Sequence, residues 1–140
     1  MRFWDSSGLI PLIAAEKGSP QVQKFYKDDP EVLVWSLTDL EILSSLCRRL
    51  REGKLSARDF DRADSRLGEL RDRWHEVKNL RTVRVRARRL LRSHPLRAGD
   101  ALQLAAALVA LREEADGFEF LTYDAQLRRA AHSEGFAVPI

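Results

Sequence analysis

The stretch RFWDSSGLIPLI, Arg2–Ile13, holds a short apolar entry, then an acid and two hydroxyls, then a second apolar run. Phe3 and Trp4 read as a short strand ended by Asp5, Ser6 and Ser7. Leu9, Ile10, Leu12 and Ile13 then fall at the inward positions of a helix that stops near Gly18. A strand handing directly to a helix is the building unit of an α/β fold. The junction also poses a question about Asp5. A carboxylate there can cap the helix, or it can hold a cation.

Working outward, the same alternation recurs. Ser19-Pro20 opens a second helix that carries Val22, Phe25 and Tyr26, and Asp28-Asp29-Pro30 makes a turn. Val32–Trp35 is a buried strand. Thr38 opens a helix with Leu40, Leu43, Leu46, Cys47 and Leu50 on one side, and Gly53 ends it. Ser56 opens another, with Phe60, Ala63, Leu67, Leu70 and Trp74 at helical spacing. Leu80–Thr82 reads as a strand and Val83–Leu91 as a helix. His94-Pro95 breaks the chain. Ala98–Arg112 is an alanine- and leucine-rich helix, Phe118–Thr122 a strand, Asp124–Glu134 a helix capped by Gly135, and Ala137-Val138 a last strand. The pattern predicts an α/β/α sandwich on a mostly parallel sheet of four to five short strands, one domain over residues 1–140.

Composition fits that frame. The chain has 140 residues, 44% of them hydrophobic and 32% charged. That is enough apolar material for one core. The longest apolar run, Leu102–Leu111, is interrupted by Gln103 and is far short of the roughly 20 residues of a membrane span. No secretory signal is apparent at MRFWDSSG, and the single cysteine, Cys47, fits a reducing cytoplasm. Net charge is only +3. The charge is unevenly spread, however. Lys78–Arg97 contains Lys78, Arg81, Arg84, Arg86, Arg88, Arg89, Arg92 and Arg97 and no acid, a stretch able to attract phosphate or to form a solvated helix face.

Four acids sit where a strand ends or a helix begins: Asp5, Glu41, Asp100 and Asp124. Each has a structural explanation of its own. Asp5 and Asp124 can be N-caps, Thr38 and Glu41 match a capping box, and Asp100 suits the positive end of a helix. Together they would converge at the carboxyl edge of the sheet, where open α/β folds bind ligands. Like charges gathered there require protonation or a cation. Oxygen donors without histidine or cysteine suit Mg²⁺ or Mn²⁺, and such a site can act on a phosphodiester. Arg97, just before Asp100, is the candidate phosphate contact. His75, His94 and His132 stand apart in sequence, and Trp4, Trp35 and Trp74 fall at core positions.

These residues resemble a PIN domain, and more closely the VapC toxins of toxin–antitoxin pairs. FWDSSGLIPLI resembles the family's opening strand with D-x-S. SLTDLEILSSLCR resembles the segment carrying its glutamate, HPLRAGDALQLAAAL its aspartate opening a helix, and FLTYDAQLRRAAHSEGF its closing T-x-D. The resemblance covers nearly the whole chain. It implies a PIN-like fold and a Mg²⁺- or Mn²⁺-dependent ribonuclease with Asp5, Glu41, Asp100 and Asp124 as catalytic and metal-holding acids. It implies Ser7 and Thr122 as supporting hydroxyls, an RNA substrate, a cognate antitoxin and a homodimer. Two other functions compete. One is a PIN-like module that binds RNA or protein without cutting. The other is an aspartyl-phosphate phosphatase, which would place a second aspartate two residues after Asp5, where this chain has Ser7.

Overall fold

The computed structural model describes residues 1–140. Strand β1 (Arg2–Trp4) leads into helices α1 (Ser6–Ile13) and α2 (Ser19–Asp28). Strand β2 (Val32–Trp35) is followed by α3 (Thr38–Arg51) and α4 (Ala57–Arg71), then by β3 (His75–Val77). Helices α5 (Leu80–Ser93) and α6 (Ala98–Ala110), strand β4 (Phe120–Leu121) and helix α7 (Ala125–Ser133) complete the chain. The sheet order is β3-β2-β1-β4, and every pairing is parallel. Ala137 adds a parallel bridge to Glu119 beyond β4, in place of a full last strand.

Parallel strands covered on both faces must be apolar throughout, and the period-2 alternation then divides their side chains between two cores. Phe3, Leu33, Trp35, Val77 and Phe120 enter the core built with α5, α6 and α7. Trp4, Val32, Val34 and Leu121 enter the one built with α1, α2, α3 and α4. The first core holds α6, whose alanines at 101, 105, 106 and 107 are all fully buried and let the helix lie close to the sheet. This closeness carries the start of α6 to the sheet's carboxyl edge.

Several local expectations change. The third strand is His75–Val77, and Leu80–Thr82 is the first turn of α5, capped by Asn79, whose side chain accepts from Thr82 N at 3.2 Å. β3 lies at the sheet edge with His75 exposed, so it lacks the apolar signature of a buried strand. Helix α1 ends at Ile13 rather than near Gly18, and α2 takes Gly18 as its N-cap rather than Ser19. Helix α4 closes at Arg71, which leaves Trp74 buried in the turn before β3. Leu40 points to solvent at 58% exposure and Cys47 is half-buried. Arg86, one of the basic run, faces inward and pairs with Glu113 and Glu134.

Candidate active site

Asp5 stands where β1 ends and α1 begins, and it is 3% exposed. Its Oδ2 accepts from Ser7 N at 3.2 Å, which caps α1. The same oxygen accepts from Ser7 Oγ at 2.6 Å and from Thr122 Oγ1 at 2.9 Å. Each hydroxyl has only one proton and gives it to Asp5, so each is left as an acceptor. Ser7 Oγ then takes the N–H of Tyr123 at 2.9 Å, and Thr122 Oγ1 takes the N–H of Asp124 at 3.0 Å. The two hydroxyls thus buckle the β1–α1 turn to the β4–α7 turn, with Asp5 as the tongue.

Glu41 lies in the first turn of α3, but the capping box does not form. Leu37 is the N-cap, and Thr38 is fully buried. The Glu41 carboxylate turns across the cleft instead. Its Oε2 accepts from Gln103 Nε2 at 3.1 Å and faces Ser6 Oγ at 3.2 Å. Gln103 is itself fully buried and also donates to Thr38 Oγ1 at 3.1 Å. Ser6 sits between the two acids, 3.3 Å from Asp5 Oδ1. Gln103 and Ser6 are site residues that the motif reading missed. The one readable signal for Gln103 is that it interrupts an apolar helix.

Asp100 occupies the first turn of α6 and is half-buried. Asp124 is the N-cap of α7, where its Oδ1 accepts from Leu127 N at 2.7 Å. Glu41, Arg97, Gly99, Asp100, Asp124 and Gln126 line one cleft of about 650 Å³. Of the sequence candidates, Arg97 is exposed at the lip of this cleft, where its charge acts on Asp100. The histidines remain apart from it: His75 meets Glu31 and His94 meets Glu134, each at 2.7 Å.

Burial pushes the Asp5 carboxyl above its ordinary range, against the hydrogen bonds from Ser7 and Thr122. Burial likewise raises Glu41, and the charges of Asp5 and Asp100 add to the effect. Asp100 is raised by burial and then by Asp124 and Asp5, with Arg97 opposing. None of the four acids is in an ion pair. No three of the chain's acids, histidines or cysteines stand close enough together to ligate one ion as placed. The hydrogen bonds explain this spacing, because Glu41 is drawn to Gln103 and Asp5 to Ser7 and Thr122. The donor chemistry nevertheless suits a hard divalent cation. The set is all oxygen and mutually repelling, with Arg97 at the lip as the opposing charge.

Folding linkage gives this repulsion a sign. An acid raised in the native state holds its proton more tightly there than in the unfolded chain. Its contribution to stability therefore falls as pH rises from the unfolded carboxylate range through the raised native value. For Asp5, Glu41 and Asp100 this predicts a melting temperature in EDTA that drops from pH 5 towards pH 8 relative to the same protein in Mg²⁺. The gap should widen with pH in paired thermal melts. A gap independent of pH counts against a repulsive acid cluster.

A parallel α/β sheet that gathers buried oxygen donors at its carboxyl edge defines the class as an acidic-site α/β domain. The chain matches the PIN domain family over residues 2–133 and belongs to it. Among curated proteins it is similar to Ribonuclease VapC45 and Ribonuclease VapC49 of two strains of Mycobacterium tuberculosis. It is 27% identical to each over 143 residues, covering 97% of this chain and 92% of the relative. Among solved structures it resembles PAE2754 from Pyrobaculum aerophilum, with TM-score 0.67 and 18% identity. The likeness covers 98% of this chain and 87% of that one and supports the fold.

Proposed function

We propose that this chain is a metal-dependent endoribonuclease acting as the toxin of a toxin–antitoxin pair. One observation carries the reading: Asp5, Glu41, Asp100 and Asp124 gather at one edge of the sheet, the carboxyls of Asp5, Glu41 and Asp100 are raised, and none of the four acids is in an ion pair. The similarity to proteins named as VapC ribonucleases supports RNA as the substrate and an antitoxin as the partner. A homodimer in the cytoplasm belongs to the same reading. No helix is long and apolar enough to cross a membrane.

In this mechanism Asp5, Glu41, Asp100 and Asp124 would hold Mg²⁺ or Mn²⁺. The ion supplies Lewis acidity toward a phosphodiester and a more acidic water. The protein's own part is positioning. Ser7 and Thr122 fix the Asp5 rotamer through its Oδ2, and Gln103 fixes Glu41 through its Oε2. Arg97 meets the phosphate at the lip, where a guanidinium pairs with two oxygens at once.

The test is cleavage of structured RNA by purified protein. Cleavage should appear with Mg²⁺ or Mn²⁺, stop in EDTA and return when the ion is restored. Cutting that persists in EDTA overturns metal dependence. Tight RNA binding without cutting under any ion selects the non-catalytic module. Phosphorylated Asp5 recovered from a phosphomonoester would select the phosphatase.

A further inference from the structure

Helix α5 is divided lengthwise by charge. Val83, Ala87 and Leu90 are buried on its inner face, and the one inward arginine, Arg86, is paired with Glu113 and Glu134. On the opposite face Arg81, Arg84, Arg88 and Arg92 are exposed, and none of them is in an ion pair. At about 100° per residue these four fall within a stripe of roughly 80°, and the row runs about 16 Å along the helix axis. The helix contains no acid at all. Like charges three and four residues apart oppose helix formation, so the row weakens the element that carries it. Local rules broken without local compensation mark functional surface.

Along the chain, the row is followed by one more exposed arginine. α5 ends at Ser93, and four residues later the chain reaches Arg97, on the lip of the cleft that holds Asp100 and Asp124. The other exposed side chains from Arg81 to Arg92 are Thr82, Val85, Arg89 and Leu91, none of them aromatic, so the surface offers charge without a stacking platform.

We propose that the Arg81–Arg84–Arg88–Arg92 face of α5 is a docking track for an RNA backbone, which it delivers over Arg97 to the acidic cleft. The proposal rests on the nuclease reading for its destination, and it locates the surface that holds the substrate away from the cut. Charge complementarity, and the sequence link through Arg97 to the acidic cleft, favour a polyphosphate over any other occupant. Arg97 positions the scissile phosphate, and the row holds the flanking ones.

The experiment measures binding of fluorescently labelled bulk tRNA in EDTA, where no metal-dependent cleavage intrudes, across a salt series. The test variant is Arg81→Gln/Arg84→Gln/Arg88→Gln/Arg92→Gln. The control, Lys17→Gln/Lys24→Gln/Lys27→Gln/Lys54→Gln, removes the same charge from other exposed sites. For four lost phosphate contacts the slope of log K against log salt should shrink by about 3, with at least about tenfold weaker binding near 100 mM salt. The control should stay within about threefold of wild type. The test variant should also melt no lower than wild type, because repulsion along α5 is relieved.

Equal losses in both variants would assign the effect to net charge and overturn the track. An unchanged salt slope in the test variant overturns it as well. If the variant loses affinity for labelled poly-L-glutamate while RNA binding persists, the row is a face for an acidic protein, and the track is wrong. The nuclease reading is scored separately by cleavage in Mg²⁺. A cutting wild type with an indifferent row leaves the nuclease standing and removes the track.

Discussion

Asp5→Asn is expected to lower RNA cleavage by at least about a thousandfold, about 4 kcal/mol of transition-state stabilisation, while the protein stays folded. The geometry allows this separation. The amide oxygen of asparagine can replace Oδ2 and keep the hydrogen bonds from Ser7 N, Ser7 Oγ and Thr122 Oγ1. The amide nitrogen then faces Ser6 Oγ, which can accept as readily as donate. What is lost is the charge at the centre of the acid cluster. The substitution also removes a buried carboxylate whose ionisation opposes folding, so the variant should melt higher than wild type in EDTA at neutral pH. Cleavage by Asp5→Asn at the wild-type rate, measured at matched folded fraction, removes Asp5 from the site.

Gly8→Ala should destabilise the fold by about 1–3 kcal/mol and reduce cleavage by about a hundredfold. An added Cβ would stand 2.7 Å from the backbone oxygen of Leu121 and 3.2 Å from its carbonyl carbon, and neither atom can swing away. Alanine gains roughly 0.5–1 kcal/mol over glycine inside a helix. The clash outweighs that gain because it forces α1 away from β4. Asp5, Ser7 and Thr122 hang on that contact, so their hydrogen bonds lengthen with it. Gly68→Ala is the matched control. Its Cβ meets nothing within 4 Å, so helix propensity alone acts, and the variant should gain roughly 0.5–1 kcal/mol. Denaturant melts and cleavage assays on the two variants should therefore move in opposite directions for stability. Gly8→Ala with wild-type stability would mean that α1 and β4 do not need this approach.

The parallel sheet was legible because its inner strands are apolar on both faces. Val32–Trp35 and the Phe3-Trp4 pair announce themselves in that way. His75–Val77 does not, because an edge strand needs no second apolar face and its signal is set by pairing alone. At the candidate site, Asp5 and Asp124 are helix caps, and the same two residues are the proposed functional carboxylates. Each caps a helix start with one carboxylate oxygen. Glu41 is the opposite lesson. Its capping-box spacing is complete, yet the side chain is taken by Gln103 from a helix more than sixty residues away. Spacing reports only local options, and the tertiary partner decided. Ser7 and Thr122 were found by motif, whereas Ser6 and Gln103 have no motif and become visible only once α1, α3 and α6 are side by side.

The central place of β1 has a consequence for the order of events when the chain is made. β1 pairs with β2 on one side and with β4 on the other, so its second neighbour is among the last segments to emerge. The Asp5–Thr122 hydrogen bond closes a span of 117 residues. Contacts so distant form late, after the loop entropy between them has been overcome. A nascent chain that has not yet released Thr122 holds Asp5 at the rim of an unfinished sheet, without its buckle. The buckle that joins the two halves of the candidate site thus closes only when the chain is nearly complete.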